Sequence, residues 1–227
     1  LFGEFSMLLP YRAKNPPDSF PYVTVALIAI NTIVYCLTSE YFLGIREDAL
    51  RALATSHATV VSQPWRLLTA LFLHADLFHL AGNMLALWLF GAPVEGRLRA
   101  PKFTALYFIA GLGGHLLHEV VVGIFRPEQF SLGASGAIMG VAGAYLYMFP
   151  YSTICVFYWF GLLWRGVWEW QARWLVALYV GSDLVQGVLF RGFSGVGHFA
   201  HLGGFAAGLL FAFALRPKRD TEEISAV

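Results

Sequence analysis

Three groups of residues have types and spacings suited to bond-breaking chemistry. The first is Ser135, in the run Gly133-Ala134-Ser135-Gly136 with Gly140 following. Glycines on either side leave the backbone N–H of Ser135 open to a ligand, and Gly136 and Gly140 form a small-xxx-small pair that lets another helix come close. The run is not the G-x-S-x-G elbow of soluble hydrolases, because Ala137 stands two after the serine. The second is His201, followed by Gly204 and Gly208. These fall at i, i+3 and i+7, one helix face, so a base lies on a close-contact surface. The third is His79 and Asn83, four apart and therefore on one face. Both can donate hydrogen bonds, and two donors aimed at one point can hold a developing negative charge. Each group has a plainer reading as helix packing or an interhelical bond. Taken together they supply a nucleophile, a base and a pair of oxyanion donors, the minimum set for acyl transfer.

The elements that must carry these residues are membrane elements. Of the 227 residues, 58% are hydrophobic and 13% charged, against about 45–50% and about 25% in soluble domains. Mean hydropathy is +0.62. A core does not need that much apolar surface, so the excess faces lipid. Disorder, a coiled coil and an ordinary soluble domain are excluded. The formal net charge is +1 with no basic tract, which argues against nucleic acid as a partner. Cys36 and Cys155 form neither a disulfide framework nor a zinc pattern.

Six segments reach or approach the roughly 20 apolar residues of a spanning helix: 22–43, 77–93, 102–122, 133–149, 173–190 and 198–215. The fold class predicted is an all-α, polytopic membrane protein with a six-helix bundle at 22–216, an N-terminal tail at 1–21 and a short C-terminal tail at 217–227. The first apolar run is too long for a signal-peptide core and reads as a retained anchor. Gly44 to Asp76 reads as a structured loop resting on the membrane surface. Residues 151–172, dense in Trp and Tyr, read as an interfacial excursion, with a seventh span as the alternative. No internal repeat appears, which disfavours an inverted-repeat transporter. Six spans put ten of the fifteen Lys and Arg on one side, including the run Arg216-Pro-Lys218-Arg219. Both termini are therefore expected in the cytoplasm.

With these residues in hand, the sequence resembles the rhomboid family of intramembrane serine proteases. The matching stretches are Trp65-Arg66, His74 to Asn83, Gly133-Ala134-Ser135-Gly136, and Ala200-His201-Leu202-Gly203-Gly204 with Gly208. They cover about 22–216 in family order. The resemblance implies a six-helix bundle with a serine–histidine dyad opening to the extracytoplasmic side. It makes Ser135 the nucleophile, His201 the general base, His79 and Asn83 the oxyanion side chains, and Gly133 the glycine beside the nucleophile. Trp65 and Arg66 match the first-loop pair, and Glu95 and Arg97 a structural charged pair at the cytoplasmic end of the second span. One departure is Met139, where some members carry an aromatic that stacks on the catalytic histidine.

The expected reaction is attack by Ser135 Oγ on a scissile carbonyl, with His201 relaying the proton to the leaving amine. Both residues begin inward-running spans, so both lie at shallow depth where water reaches. The implied substrates are membrane-spanning helices, with the fifth span and the Gly187 to Gly197 loop as the gate that admits them. Asp183 completes the hydrolase order Ser-Asp-His. It is assigned a structural role, being mid-span and below the expected dyad depth in a family that works with a dyad. His115, His118 and Glu119 lack metalloprotease spacing and read as a surface-facing or satisfied polar cluster. His198 is placed at the cavity edge and His74 as a loop-anchoring hydrogen bonder. No metal or cofactor is expected. The main alternative is a catalytically silent rhomboid-like protein that escorts transmembrane clients. Further rivals are an intramembrane zinc protease and a channel. With no transit peptide or large soluble domain evident, a bacterial cytoplasmic membrane is the default expectation.

Overall fold

The computed structural model describes residues 6–160, 164–190 and 194–220. A strand β1 (Ser6–Ala13) leads into helix α1 (Tyr22–Thr38). A two-stranded hairpin, β2 (Ser39–Glu40) with β3 (Gly44–Ile45), opens a loop that carries α2 (Glu47–Leu53), α3 (His57–Val60), α4 (Arg66–Thr69) and a 3₁₀ turn at Ala70–Phe72. Then come α5 (Leu77–Ala86), a π-helical turn at Leu87–Gly91, and α6 (Ala92–Val121). Helix α7 (Ser135–Met148) is followed by strands β4 (Thr153–Phe160) and β5 (Trp164–Gln171), then α8 (Ala172–Phe190) and α9 (His198–Leu215).

The helical plan follows the apolar pattern, with boundaries set by local chemistry. The first helix stops at Thr38, short of the predicted 43, where Tyr41 and Phe42 turn through positive φ. The predicted segments 77–93 and 102–122 join in one helical run that breaks at Arg99, with φ 66°, two residues before Pro101. A residue ahead of proline is excluded from the α region only in the adjacent position, so the left-handed Arg99 adds a second, separate interruption. Among the described residues, two helical runs are long and apolar enough to cross a bilayer, Leu77–Val121 and His198–Leu215, while Tyr22–Thr38 and Ser135–Met148 are shorter apolar helices.

α1 has no side-chain cap of its own. The buried Glu95 carboxylate supplies it, accepting from Val23 N at 2.8 Å, Thr24 N at 2.7 Å and Thr24 Oγ1 at 2.8 Å. A carboxylate suits the positive end of a helix. Arg97 does not pair with it. The guanidinium instead donates to Lys218 O and Asp220 and stacks on Phe149, tying the chain after α9 to the C-terminal end of α7. Replacing Glu95 with Ala strands the buried Thr24 N–H and the partly buried Val23 N–H, and is expected to cost about 2–3 kcal/mol. Thermal unfolding of the purified variant against wild type measures it.

Besides the short β2–β3 hairpin, the structure departs from an all-α plan in a larger sheet. β1, β4 and β5 form an antiparallel sheet in that order. Within 151–172, Thr153–Phe160 and Trp164–Gln171 are thus paired strands and not a seventh spanning helix, and the N-terminal tail pairs with the first of them from Ser6. β-branched and aromatic residues dominate Thr153–Phe160, a composition that favours pleated strands. Pro10 fits because β1 is an edge strand, and the register shifts between Pro10 and Arg12. Asn15, Tyr145 and Ser152 share hydrogen bonds of 2.6–2.8 Å that fasten the sheet to α7.

Two glycine faces form the central seam. A Cβ on Gly204 or Gly208 of α9 would run into the carbonyl oxygens of Gly136 and Gly140 of α7 respectively. A Cβ on Gly143 of α7 would likewise stand 2.6 Å from Phe205 O. The tolerance is below one methyl group, so the backbones of α7 and α9 touch.

Candidate functional site

The seam brings Ser135, the first residue of α7, to His201 in the first turn of α9. His201 Nε2 lies 2.8 Å from Ser135 Oγ. At a helix start the leading N–H groups have no partner within the helix, so the Ser135 end of α7 presents donors and positive potential to the same point. The His201 side chain keeps 17% of its exposure, so the pair is not sealed off by packed side chains.

The segment before Ser135 is held on three sides. Thr55 and Ser131 exchange backbone hydrogen bonds of 3.2 and 2.8 Å, and Gly133 N donates to Ala70 O at 2.9 Å. The surface loop Gly44 to Asp76 is therefore a clamp on the serine segment. From below, the buried His115 ring lies 3.1 Å from Ser131 Oγ and 3.3 Å from Gly133 O. Gly133 has φ +119°, and a Cβ there would stand 3.0 Å from His79 Cε1. Glycine is required at this turn by conformation and by space.

His79 comes from α5, whose start is capped by Asp76 accepting from His79 N at 2.8 Å. Its Nδ1 accepts from Ala75 N at 3.4 Å, which puts the ring proton on Nε2, the nitrogen turned toward Gly133. Asn83, one turn on, is buried, and its Nδ2 has no hydrogen-bond partner among the described residues. A buried free donor is costly unless a ligand uses it. Trp65 is largely exposed, and Arg66 Nη1 donates weakly to Ala54 O at 3.4 Å. Neither touches the pair. His74 does not make the loop-anchoring hydrogen bond expected of it. Both ring nitrogens lack a partner among the described residues, and the ring packs edge-on to His79, centroids 5.1 Å apart. Burial, with the nearby His79, pushes the His74 imidazole down to about 4, so it stays neutral.

Three assignments change. Asp183 is not below the pair. Its carboxylate accepts from His201 Nδ1 at 3.0 and 3.1 Å and from His198 Nδ1 at 2.7 Å. Neighbouring helices here do not end level. At 1.5 Å per residue, α8 rises ~10 Å above Asp183, whereas His201 sits only ~4–5 Å from the start of α9, so α9 begins deeper than α8 ends. His198 is accordingly buried and not at a cavity edge. The available signal was an acid at membrane depth facing two histidines one turn apart. His115, His118 and Glu119 are all buried, so they face no surface. Asp183, His198 and His201 also offer donor atoms within 4.8 Å of one another, a set able to hold a cation. Met139 stands four residues after Ser135 on α7. It lines an apolar cavity of about 330 Å³ with Gly82, Leu85, Tyr179 and Leu8 to Pro10. Of the predicted Gly187 to Gly197 gate, residues 191–193 lie outside the described residues, as do 221–227 of the C-terminal tail.

Apolar helices packed on a glycine seam, with a hydroxyl and an imidazole paired inside, define a polytopic helical bundle of the membrane. The chain belongs to the rhomboid family, whose Rhomboid domain matches residues 61–218, and it is accordingly an integral membrane protein. It is 33% identical over 174 residues to RHOMBOID-like protein 1 of Arabidopsis thaliana, covering 75% of this chain and 40% of that one. It is 31% identical over 198 residues to RHOMBOID-like protein 6, mitochondrial, of the same plant, covering 82% and 57%. With Rhomboid protease GluP of Bacillus subtilis it shares 35% over 130 residues, covering 56% and 25%. The chain thus spans well under two thirds of these relatives' lengths. Plant, mitochondrial and bacterial relatives together give no support to the bacterial cytoplasmic membrane in particular.

Proposed function

We propose that this chain is an intramembrane serine endopeptidase acting on single-span membrane proteins within or next to their transmembrane helix. The observation that carries the reading is the 2.8 Å approach of His201 Nε2 to Ser135 Oγ in a pocket partly open to water. Ser135 Oγ attacks the scissile carbonyl while its proton passes to His201 Nε2. The tetrahedral oxyanion is held by the Ser135 N–H, His79 Nε2 and Asn83 Nδ2. The amine leaves with the proton from His201, and water then hydrolyses the acyl-enzyme.

The unit responsible is 22–216, with six spans and both termini cytoplasmic, as the Lys and Arg distribution favours. The substrate enters between α5 and α8, where the apolar cavity reaches from Gly82 to Tyr179. A fluorophosphonate probe tests the reading directly. It labels the wild-type chain, and labelling is lost in Ser135→Ala. Equal labelling of both would remove Ser135 as the nucleophile and leave the client-escort role. A chelator is expected to leave the cleavage rate unchanged, and loss of cleavage on chelation would favour a metal-dependent reaction.

Asn83→Ala removes one donor aimed at the oxyanion. Its kcat on a single-span substrate is expected to fall ~10²–10³-fold with KM little changed, as for other single oxyanion donors. A change confined to KM would assign Asn83 to ground-state binding.

A further inference from the structure

We propose that Asp183 is a positioning residue for His201, and that His198 in turn holds Asp183. The inference rests on the reading of Ser135 and His201 as nucleophile and base. It converts a two-residue arrangement into a chain of four side chains from α7, α8 and α9.

The argument is one of proton placement. An ionised carboxylate only accepts hydrogen bonds. Asp183 lies 3.0 Å from His201 Nδ1, so that nitrogen carries the ring proton. Nε2, 2.8 Å from Ser135 Oγ, is then the bare nitrogen, the one able to take the hydroxyl proton. The same logic makes His198 Nδ1 a donor at 2.7 Å to Asp183 Oδ1. Two N–H donors on one carboxylate leave it a single orientation, and both donors come from one face of α9, three residues apart. Asp183 is buried, and a buried charge persists where donors compensate it. Among the described residues His198 Nε2 has no hydrogen-bond partner, so the bond to Asp183 is the one hydrogen bond the His198 side chain makes there.

During acylation the Oγ–C bond forms and the hydroxyl proton moves to Nε2. The resulting imidazolium is stabilised by Asp183 through the Nδ1–H bond, and Asp183 stays ionised throughout. When the C–N bond breaks, the Nε2 proton leaves with the amine and the neutral tautomer is restored.

Asp183→Asn tests this in the full chain, purified in detergent, on a single-span substrate. The amide has one acceptor oxygen for two N–H donors, so His201 loses its fixed tautomer. Expected is a fall in kcat of ~10²–10⁴-fold with KM within about threefold. Nitrogen-15 NMR of labelled histidine is expected to show His201 as the Nδ1–H form in wild type and as Nε2–H or a mixture in the variant. A packing defect alone would not move the tautomer. His198→Gln, a milder change that still folds if Asp183→Asn does not, is expected to lower kcat ~10-fold with a partial tautomer shift. Wild-type kcat and tautomer in Asp183→Asn, or in His198→Gln if only that variant folds, overturn the inference. Inactivity of Ser135→Ala in the same assay shows that the underlying reading survives such a result, whereas cleavage by Ser135→Ala sinks both.

Discussion

Ser135→Ala and His201→Ala are each expected to reduce cleavage of a single-span substrate to background, and the double variant to fall no further. The two side chains share one proton, and 2.8 Å separates the atoms that exchange it. Without the hydroxyl there is no nucleophile for the imidazole to activate. Without the imidazole the hydroxyl stays protonated and weakly nucleophilic. Groups that act as a unit lose nearly everything on the first removal, a loss on the order of 10⁴–10⁶-fold in kcat. Independent contributions would instead add in free energy. Detergent-purified protein and gel-resolved cleavage are sufficient, and either single variant cutting at the wild-type rate refutes the assignment.

The second large effect comes from one methyl group placed well away from any substrate. Gly204→Ala puts a Cβ into the carbonyl oxygen of Gly136, so α9 must move away from α7 by more than an ångström. Gly204 is one turn after His201 and Gly136 is next to Ser135, so the displacement falls on the reacting pair. Misplacement of about 1 Å costs ~10²-fold, and overpacking adds ~1–3 kcal/mol of destabilisation. Gly204→Ala is therefore expected to lose ~10²-fold in kcat and to melt earlier. Gly181→Ala is the control, because a Cβ there meets nothing within 4 Å. Its activity is expected to stay within twofold of wild type. If Gly204→Ala matched that control, the close seam would be wrong.

Patterns confined to one helix were legible before any folding was considered. Gly136 with Gly140, and His201 with Gly204 and Gly208, are spacings along single helices. Each small-residue face requires a close partner, and two such faces satisfy each other. His79 with Asn83 was legible for the same reason, and so was the apolar excess that makes the chain a membrane protein. The sheet was not, because the pairing of β1 with β4 joins residues far apart in sequence. A tail around Pro10 carries no strand signal until an edge position accepts it. Glu95 capping α1 is a second case, a contact across 71 residues.

Residue type and helical period are local properties, so the chain alone determined which side chains can do chemistry and which faces must touch. How far each helix is sunk relative to its neighbour is a property of packing. Only the folded bundle set the start of α9 below the end of α8, and that offset is what carries Asp183 to the imidazole.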